Sequence, residues 1–243
     1  VSGQTYSRKF DSRLMHVLCS IGETASKFAT DIRLLQHDRL IEQPYEDKQI
    51  GSSAMPYKHN PMRSERICSL ARYLIVNSLN PSFTSASQCF ERTLDYSANR
   101  RSVIPEAFLC ADSILRLMSN VTAGLVVNKK IIEKQVNEYL PFIASENLLM
   151  EAVKRGGDRQ VLHEVIRTLS NEASKNMKEG KECNLLELLL KSKEFNLNEK
   201  ESRSILEPKK YIGRASTQAY NYAFKVEEYL KDINDIEIED IIL

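Results

Sequence analysis

Residues Gly51 to Pro61 read GSSAMPYKHNP, and Glu65 follows four residues later. Two hydroxyls (Ser52 and Ser53), an ammonium (Lys58) and a carboxamide (Asn60) are packed into this short stretch. That set can hold a small anion or stabilise one as it forms. Serine is a poor base in water, but fixed positive charge and a nest of backbone N–H groups favour its ionised form. Gly51 opens backbone angles closed to other residues. Pro56 and Pro61 fix φ and disfavour helix just before them. The segment is therefore predicted to be an irregular loop that hands over to a helix near Pro61, where proline suits the first turn. Glu65 lies one turn further on, where a carboxylate complements the helix dipole. Ser-Ser or Lys-x-Asn alone would be an ordinary surface turn; the whole string is not.

The elements that must position this loop have a helical period. Leu14, Leu18, Ile21, Ala25, Phe28, Ile32 and Leu35 alternate steps of four and three, a seam on one long helix. Val103, Ala107, Cys110, Ile114, Leu117 and Val121 repeat the alternation, and Ile67, Leu70, Ala71 and Leu74 give a shorter stripe. No stretch alternates well enough for a strand. The expectation is an all-α protein built on a long-helix bundle. Three such helices need more partners than they supply each other, so upstream sequence, other subunits or both are expected to complete the bundle. Pro105 predicts a local kink. Beyond Gly124 the helical segments shorten, and breaks fall at Pro141, Gly156-Gly157 and near Asp158. The predicted division is a bundle portion, 1–128, carrying the loop at 51–61, and an all-helical C-terminal domain, 129–243. The last stretch, 232–243, offers no clear stripe and is expected to dock loosely.

The chain has 243 residues, formal net charge +1, 28% charged and 42% apolar residues, which is ordinary for a globular protein. No global field draws it to nucleic acid or to a membrane surface, and no apolar run approaches the ~20 residues of a membrane span. Cys19, Cys68, Cys89, Cys110 and Cys183 form no C-x-x-C pair, so free thiols in a reducing, cytoplasmic setting are expected. His16, His37, His59 and His163 show no ligand spacing, and neither a metal site nor a cofactor is expected. The start at Val1-Ser2-Gly3 reads as a cut inside a longer protein.

The loop resembles the signature of the fumarase/aspartase superfamily, SSxMPxKxN with a glutamate shortly after; Ser52, Ser53, Met55, Pro56, Lys58, Asn60 and Glu65 fill it without a gap. Within that superfamily the sequence is most similar to the adenylosuccinate lyases. The similarity rests on GQTYSRK (Gly3 to Lys9), RSERICSLARYL (Arg63 to Leu74), FERTLDYSANRR (Phe90 to Arg101) and GGDRQVLHEVIR (Gly156 to Arg167). The resemblance implies β-elimination of fumarate from a succinylated purine nucleotide. Its base would be Ser52, although spacing alone leaves Ser53 open. Lys58 would supply charge to the doubly charged intermediate, and Glu65 would orient a histidine. The acid would be a histidine encoded before residue 1, leaving this stretch inactive alone.

Gln4, Asn60, Arg66, Arg92, Ser97 and Arg101 match family positions that contact substrate, and guanidinium groups suit its carboxylates and phosphate. At 100° per residue Arg92 and Arg101 would point to opposite sides of one helix, whereas Ser97 and Arg101 share a face. A break through 93–96 is therefore predicted, with Asp95 or Ser97 capping the following helix. Arg63, Arg72 and Arg100 read as structural. The resemblance also implies a homotetramer with shared active sites. A sister lyase such as argininosuccinate lyase and a non-enzymatic descendant are the alternatives; FERTLDYSANRR and the tyrosine of MPYK argue against the first, the intact loop against the second.

Overall fold

The computed structural model describes residues 5–45, 55, 57–195, 197–231 and 233. Its elements are α1 (Lys9–His37), β1 (Ile41–Glu42), α2 (Met62–Asn77), α3 (Leu79–Ala86), α4 (Asp95–Ala123), β2 (Val126–Val127), α5 (Lys129–Ile143), α6 (Ser145–Lys154), α7 (Arg159–Lys178), α8 (Leu185–Lys191), α9 (Glu199–Ile205), a 3-10 turn (Pro208–Tyr211) and α10 (Ala215–Leu230). The fold is all-α. The two-residue strands pair antiparallel, Ile41 opposite Val127, and tie the end of α1 to the end of α4. The chain forms two compact units, one running to Lys129 and the other starting at Lys130.

In the first unit α1, α2 and α4 surround one core. The inward face of α4 is the seam of Val103, Ala107, Cys110, Ile114, Leu117 and Val121, with Ala111 added. On α2 it is Ile67, Ala71 and Leu74. On α1 the structure corrects half of the expected seam. Leu18, Ala25 and Ile32 point inward, but so do Asp11, Met15, Gly22, Ala29 and Gln36. Leu14, Ile21 and Phe28 are only partly covered, and Leu35 is exposed. The reason is the close approach of α2: a Cβ on Gly22 would sit 3.4 Å from Leu74 Cδ2 and 3.5 Å from Ala71 O. Small residues must occupy that crossing, so the bulkier ones turn to its flank. α4 continues as one helix through Pro105, whose missing N–H leaves the Arg101 carbonyl without its usual donor.

The second unit packs α6, α7 and α8 around Leu148, Leu149, Ala152, Leu162, Ile166, Leu185 and Leu189. α5 runs through Pro141 rather than stopping before it; a proline this near the end deprives only one carbonyl of its donor. Gly156 adopts φ 96°, and a Cβ on Gly157 would meet Leu162 Cδ1 at 2.5 Å, so this pair both ends α6 and lets α7 start close by. Asp158 caps α7, its Oδ1 accepting from Gln160 N and Val161 N at 2.9 Å each. Among the described residues no helix is long and apolar enough to cross a membrane.

Candidate active site

The described end of the signature loop lies against the C-terminal turns of α1. Lys58, His59, Asn60, Pro61 and Glu65 line one open cavity with Arg33, Gln36 and His37. Lys58 N donates to Met55 O (3.0 Å), a tight turn that leads into Asn60 and Pro61. Pro61 itself is the N-cap of α2, and Glu65 N donates to Pro61 O (2.9 Å) in the first helical turn. Lys58, Glu65 and Arg66 are exposed and Asn60 is half-buried, so their polar ends are open to a ligand.

Uncharged amides hold that end in place. Gln36 Nε2 donates to His59 O (3.2 Å), while its Oε1 accepts from Gln43 N (3.1 Å). Gln43 Oε1 in turn accepts from Ser64 N (3.1 Å) and Ser64 Oγ (3.0 Å). All three side chains are buried, so each bond satisfies a group that water cannot reach. His59 stacks on Tyr45 with ring centroids 4.0 Å apart and lies 3.4 Å from Glu42 Oε2 through Nδ1. Asn128 Nδ2 donates to Glu42 Oε1 (2.8 Å), tying β1 to the residue just after β2. Arg63, buried, donates to Pro44 O (3.1 Å) and belongs to the scaffold, as expected.

Arg92, Ser97 and Arg101 lie at the other end of α1. The chain leaves helix between α3 and α4, and α4 starts at Asp95. The break is earlier than predicted, spanning 87–94, and Tyr96 is already helical. The cap position is Leu94, with no side-chain cap bond, so neither Asp95 nor Ser97 serves as the cap. Gln88 Nε2 spans the break by donating to Phe90 O (3.3 Å) and Glu91 O (3.0 Å). Phe90 takes φ 47°, a left-handed conformation rare for a bulky residue. Arg92 and Arg101 are exposed and Ser97 is half-buried.

Beneath them sits a carboxylate that the sequence did not single out. Asp11, 2% exposed, accepts from Arg8 Nη1 (3.2 Å), Tyr6 Oη (2.9 Å) and Arg100 Nε (2.6 Å). The Arg8 guanidinium also lies over the rings of Tyr6 and Tyr96, at 3.9 and 4.8 Å from their centroids. The hydrogen bond to Asp11 raises the pKa of Arg100 above its usual range.

The structure thus brings Lys58, Asn60 and Glu65 together, with Arg66 directly after Glu65 on α2. It puts Arg92, Ser97 and Arg101 together elsewhere. From Asp11 to Gln36, α1 spans roughly 38 Å at ~1.5 Å per residue, so the groups stand at opposite ends of the longest strut in the unit. Gln4, Ser52 and Ser53 lie outside the described residues. Asp11, Gln36 and Gln43 were missed by sequence reasoning; the one available signal was that Asp11 and Gln36 fall on a stripe that continues the period of Leu18, Ala25 and Ile32. Among the described residues no cluster of three or more His, Cys, Asp or Glu side chains could hold a metal ion.

Known proteins resemble this chain in sequence and, separately, in fold. A family model described as "Lyase" matches residues 3–75, and one described as "Adenylosuccinate lyase C-terminus" matches residues 141–221. The adenylosuccinate lyase of Schizosaccharomyces pombe is 48% identical over 229 residues, 93% of this chain and 47% of that protein. That of Saccharomyces cerevisiae is 44% identical over 245 residues, 98% of this chain and 51% of its own length. The chain therefore spans about half the length of the relatives it matches. A solved 3-carboxy-cis,cis-muconate lactonizing enzyme from Pseudomonas putida superposes with TM-score 0.75 at 19% identity, covering 90% of this chain and 48% of that one. A fumarate lyase from Mesorhizobium sp. BNC1 gives 0.71 at 20% identity, covering 88% and 47%; both likenesses bear on fold alone. The chain belongs to the adenylosuccinate lyase family of the fumarase/aspartase superfamily.

Proposed function

We propose that the complete protein eliminates fumarate from succinyl-AMP and from the succinylated aminoimidazole carboxamide ribotide of purine nucleotide synthesis. Ser52 removes the proton next to a carboxylate of the succinyl group. Lys58 and Asn60 stabilise the extra charge that then develops on that carboxylate, a task best met by fixed donors and charge. Glu65 orients a histidine, and the histidine that protonates the leaving nitrogen is supplied from outside this sequence. Gln4, Arg66, Arg92, Ser97 and Arg101 hold the carboxylates and phosphate already present in the substrate.

The observation that carries this reading is the separation of the two groups along α1. A single copy cannot apply Lys58 and Arg101 to one nucleotide. Copies packed side by side with their long helices antiparallel can, which is the reason for proposing a homotetramer with shared sites. The surface of the first unit suits that assembly: Val17, Ile21, Leu115 and Met118 line an open apolar groove between α1 and α4. In this assembly 1–128 is part of the central bundle and 129–243 is a separate helical domain. Five free thiols suit a reducing compartment, and the cytoplasm is the location proposed.

The test is fumarate release by the complete protein from the two succinylated nucleotides and from argininosuccinate, with light scattering on the same sample. Turnover of the nucleotides by a tetramer is expected. Turnover of argininosuccinate alone, or full activity in a monodisperse monomer, overturns the reading.

A further inference from the structure

The buried cluster around Asp11 has no part in the elimination just described. It nevertheless ties together the segments that carry the candidate recognition groups. Arg8 and Asp11 belong to the start of α1, directly after Gln4. Arg100 belongs to the second turn of α4, between Ser97 and Arg101. Arg8 N also donates to Gln88 Oε1 (2.9 Å), and Thr5 Oγ1 donates to Glu91 O (3.2 Å), next to Arg92. A single carboxylate thus serves two guanidiniums and one phenol hydroxyl at the point where these strings converge.

The geometry has a directional consequence. Arg100 bonds Asp11 through both Nε (2.6 Å) and Nη2 (3.3 Å), a two-point contact that resists rotation. Its Nη2 also donates to Tyr6 Oη (2.6 Å). Successive residues on a helix are turned by ~100°, so fixing Arg100 toward α1 fixes where Ser97 and Arg101 point. The consequence in this structure is an exposed Arg101 and a half-buried Ser97. A buried carboxylate between two guanidiniums cannot simply be neutralised. Without it, the buried Arg8, 3% exposed, would face the half-buried Arg100 with no carboxylate between the two cations.

We infer that Asp11 is a positioning residue for anion recognition: through Arg100 it sets the azimuth of α4, and through Arg8 and Gln88 it holds the loop that bears Arg92. The groups so placed take the phosphate or a carboxylate present in the substrate before reaction. Asp11 therefore governs affinity for the ground state, while the chemical step depends on the loop at the other end of α1. This inference rests on the function proposed above.

The experiment uses the complete protein and succinyl-AMP, with Asp11→Asn, Arg100→Gln, the double variant and Arg100→Lys. Asp11→Asn and Arg100→Gln are each expected to raise KM about 10-fold or more while kcat stays within about 3-fold, since a displaced binding group acts before the chemical step. The double variant should be no worse than either single one, because both remove the same contact. Arg100→Lys keeps the charge but loses the two-point geometry, so it should restore KM only in part. Circular dichroism and light scattering establish that each variant is folded and assembled; if Asp11→Asn is not, Arg100→Gln decides alone. An unchanged KM in a folded variant, an equal fall in kcat, or additive effects in the double variant overturns the inference. A wild-type protein that releases no fumarate overturns the proposed function itself and takes this inference with it, a result distinguishable from all the others.

Discussion

The two ends of α1 solve opposite problems. At the C-terminal end the cavity is lined by exposed charges, and the side chains that hold the loop from beneath form a chain of neutral groups: Gln36, Gln43 and Ser64 pass hydrogen bonds from one to the next. At the N-terminal end two of the charges are themselves buried, with Asp11 set between the buried Arg8 and the half-buried Arg100. The difference is physical. An amide support adds little field at Lys58, which under the proposed function leaves its charge for an anion that develops during reaction. A charged support costs desolvation but resists rotation, which suits groups that must meet an anion of fixed shape.

The largest effects expected are at the loop end. Ser52→Ala should lower kcat by ~10²–10⁴-fold with little change in substrate affinity, the usual loss for a general base. Lys58→Ala should also act on kcat, by ~10²–10³-fold, because it removes charge stabilisation specific to the transition state. Steady-state fumarate release measures both; a rise in KM alone in either variant would erase the contrast between the ends. Next in size, Arg101→Ala should raise KM by about 30-fold or more, the lower end of the ~2–5 kcal/mol associated with breaking a desolvated charge pair. A kcat effect there without a KM effect would contradict the assignment of that end to ground-state binding.

Smaller still is the support itself. Gln43→Leu leaves the Ser64 N–H and hydroxyl without their acceptor in a fully buried place, which should cost about 1–3 kcal/mol, read from the denaturant midpoint. A loss well below that range would mean that Gln36 and Gln43 are not what holds the loop end. The smallest change is expected at Asp31→Asn, which removes an exposed ion pair with Lys27 on the middle of α1; stability should move by no more than about 0.5 kcal/mol.

The legible parts of the sequence were those whose residue types have one physical use. The α4 seam was read correctly because apolar residues at that period have nowhere to go but inward. The capping aspartate at 158 and the glycines at 156 and 157 marked a helix boundary for the same reason. The α1 seam was half-read, because the close crossing with α2 reserves its inner positions for glycine and alanine, which carry little apolar signal. Asp11 showed only as a position on the α1 stripe, and Gln43 not at all: spacing does not reveal that each is buried against a distant partner, Arg100 for Asp11 and Ser64 for Gln43. The helix after the break was placed within a residue or two, but its cap was misassigned because the hydrophobic Leu94 occupies the position without a cap bond.

The length of α1 has a consequence for how this sequence can vary over evolutionary time. Deleting one residue from its middle would turn one end against the other by ~100° and bring them ~1.5 Å closer. Deleting a full heptad would nearly keep the phase but remove ~10 Å of reach. Neither change leaves both Lys58 and Arg101 where neighbouring copies would need them. Insertions and deletions should therefore be purged from 9–37 and gather in the connections of the second unit, making α1 a segment of fixed length in which change is confined to substitution.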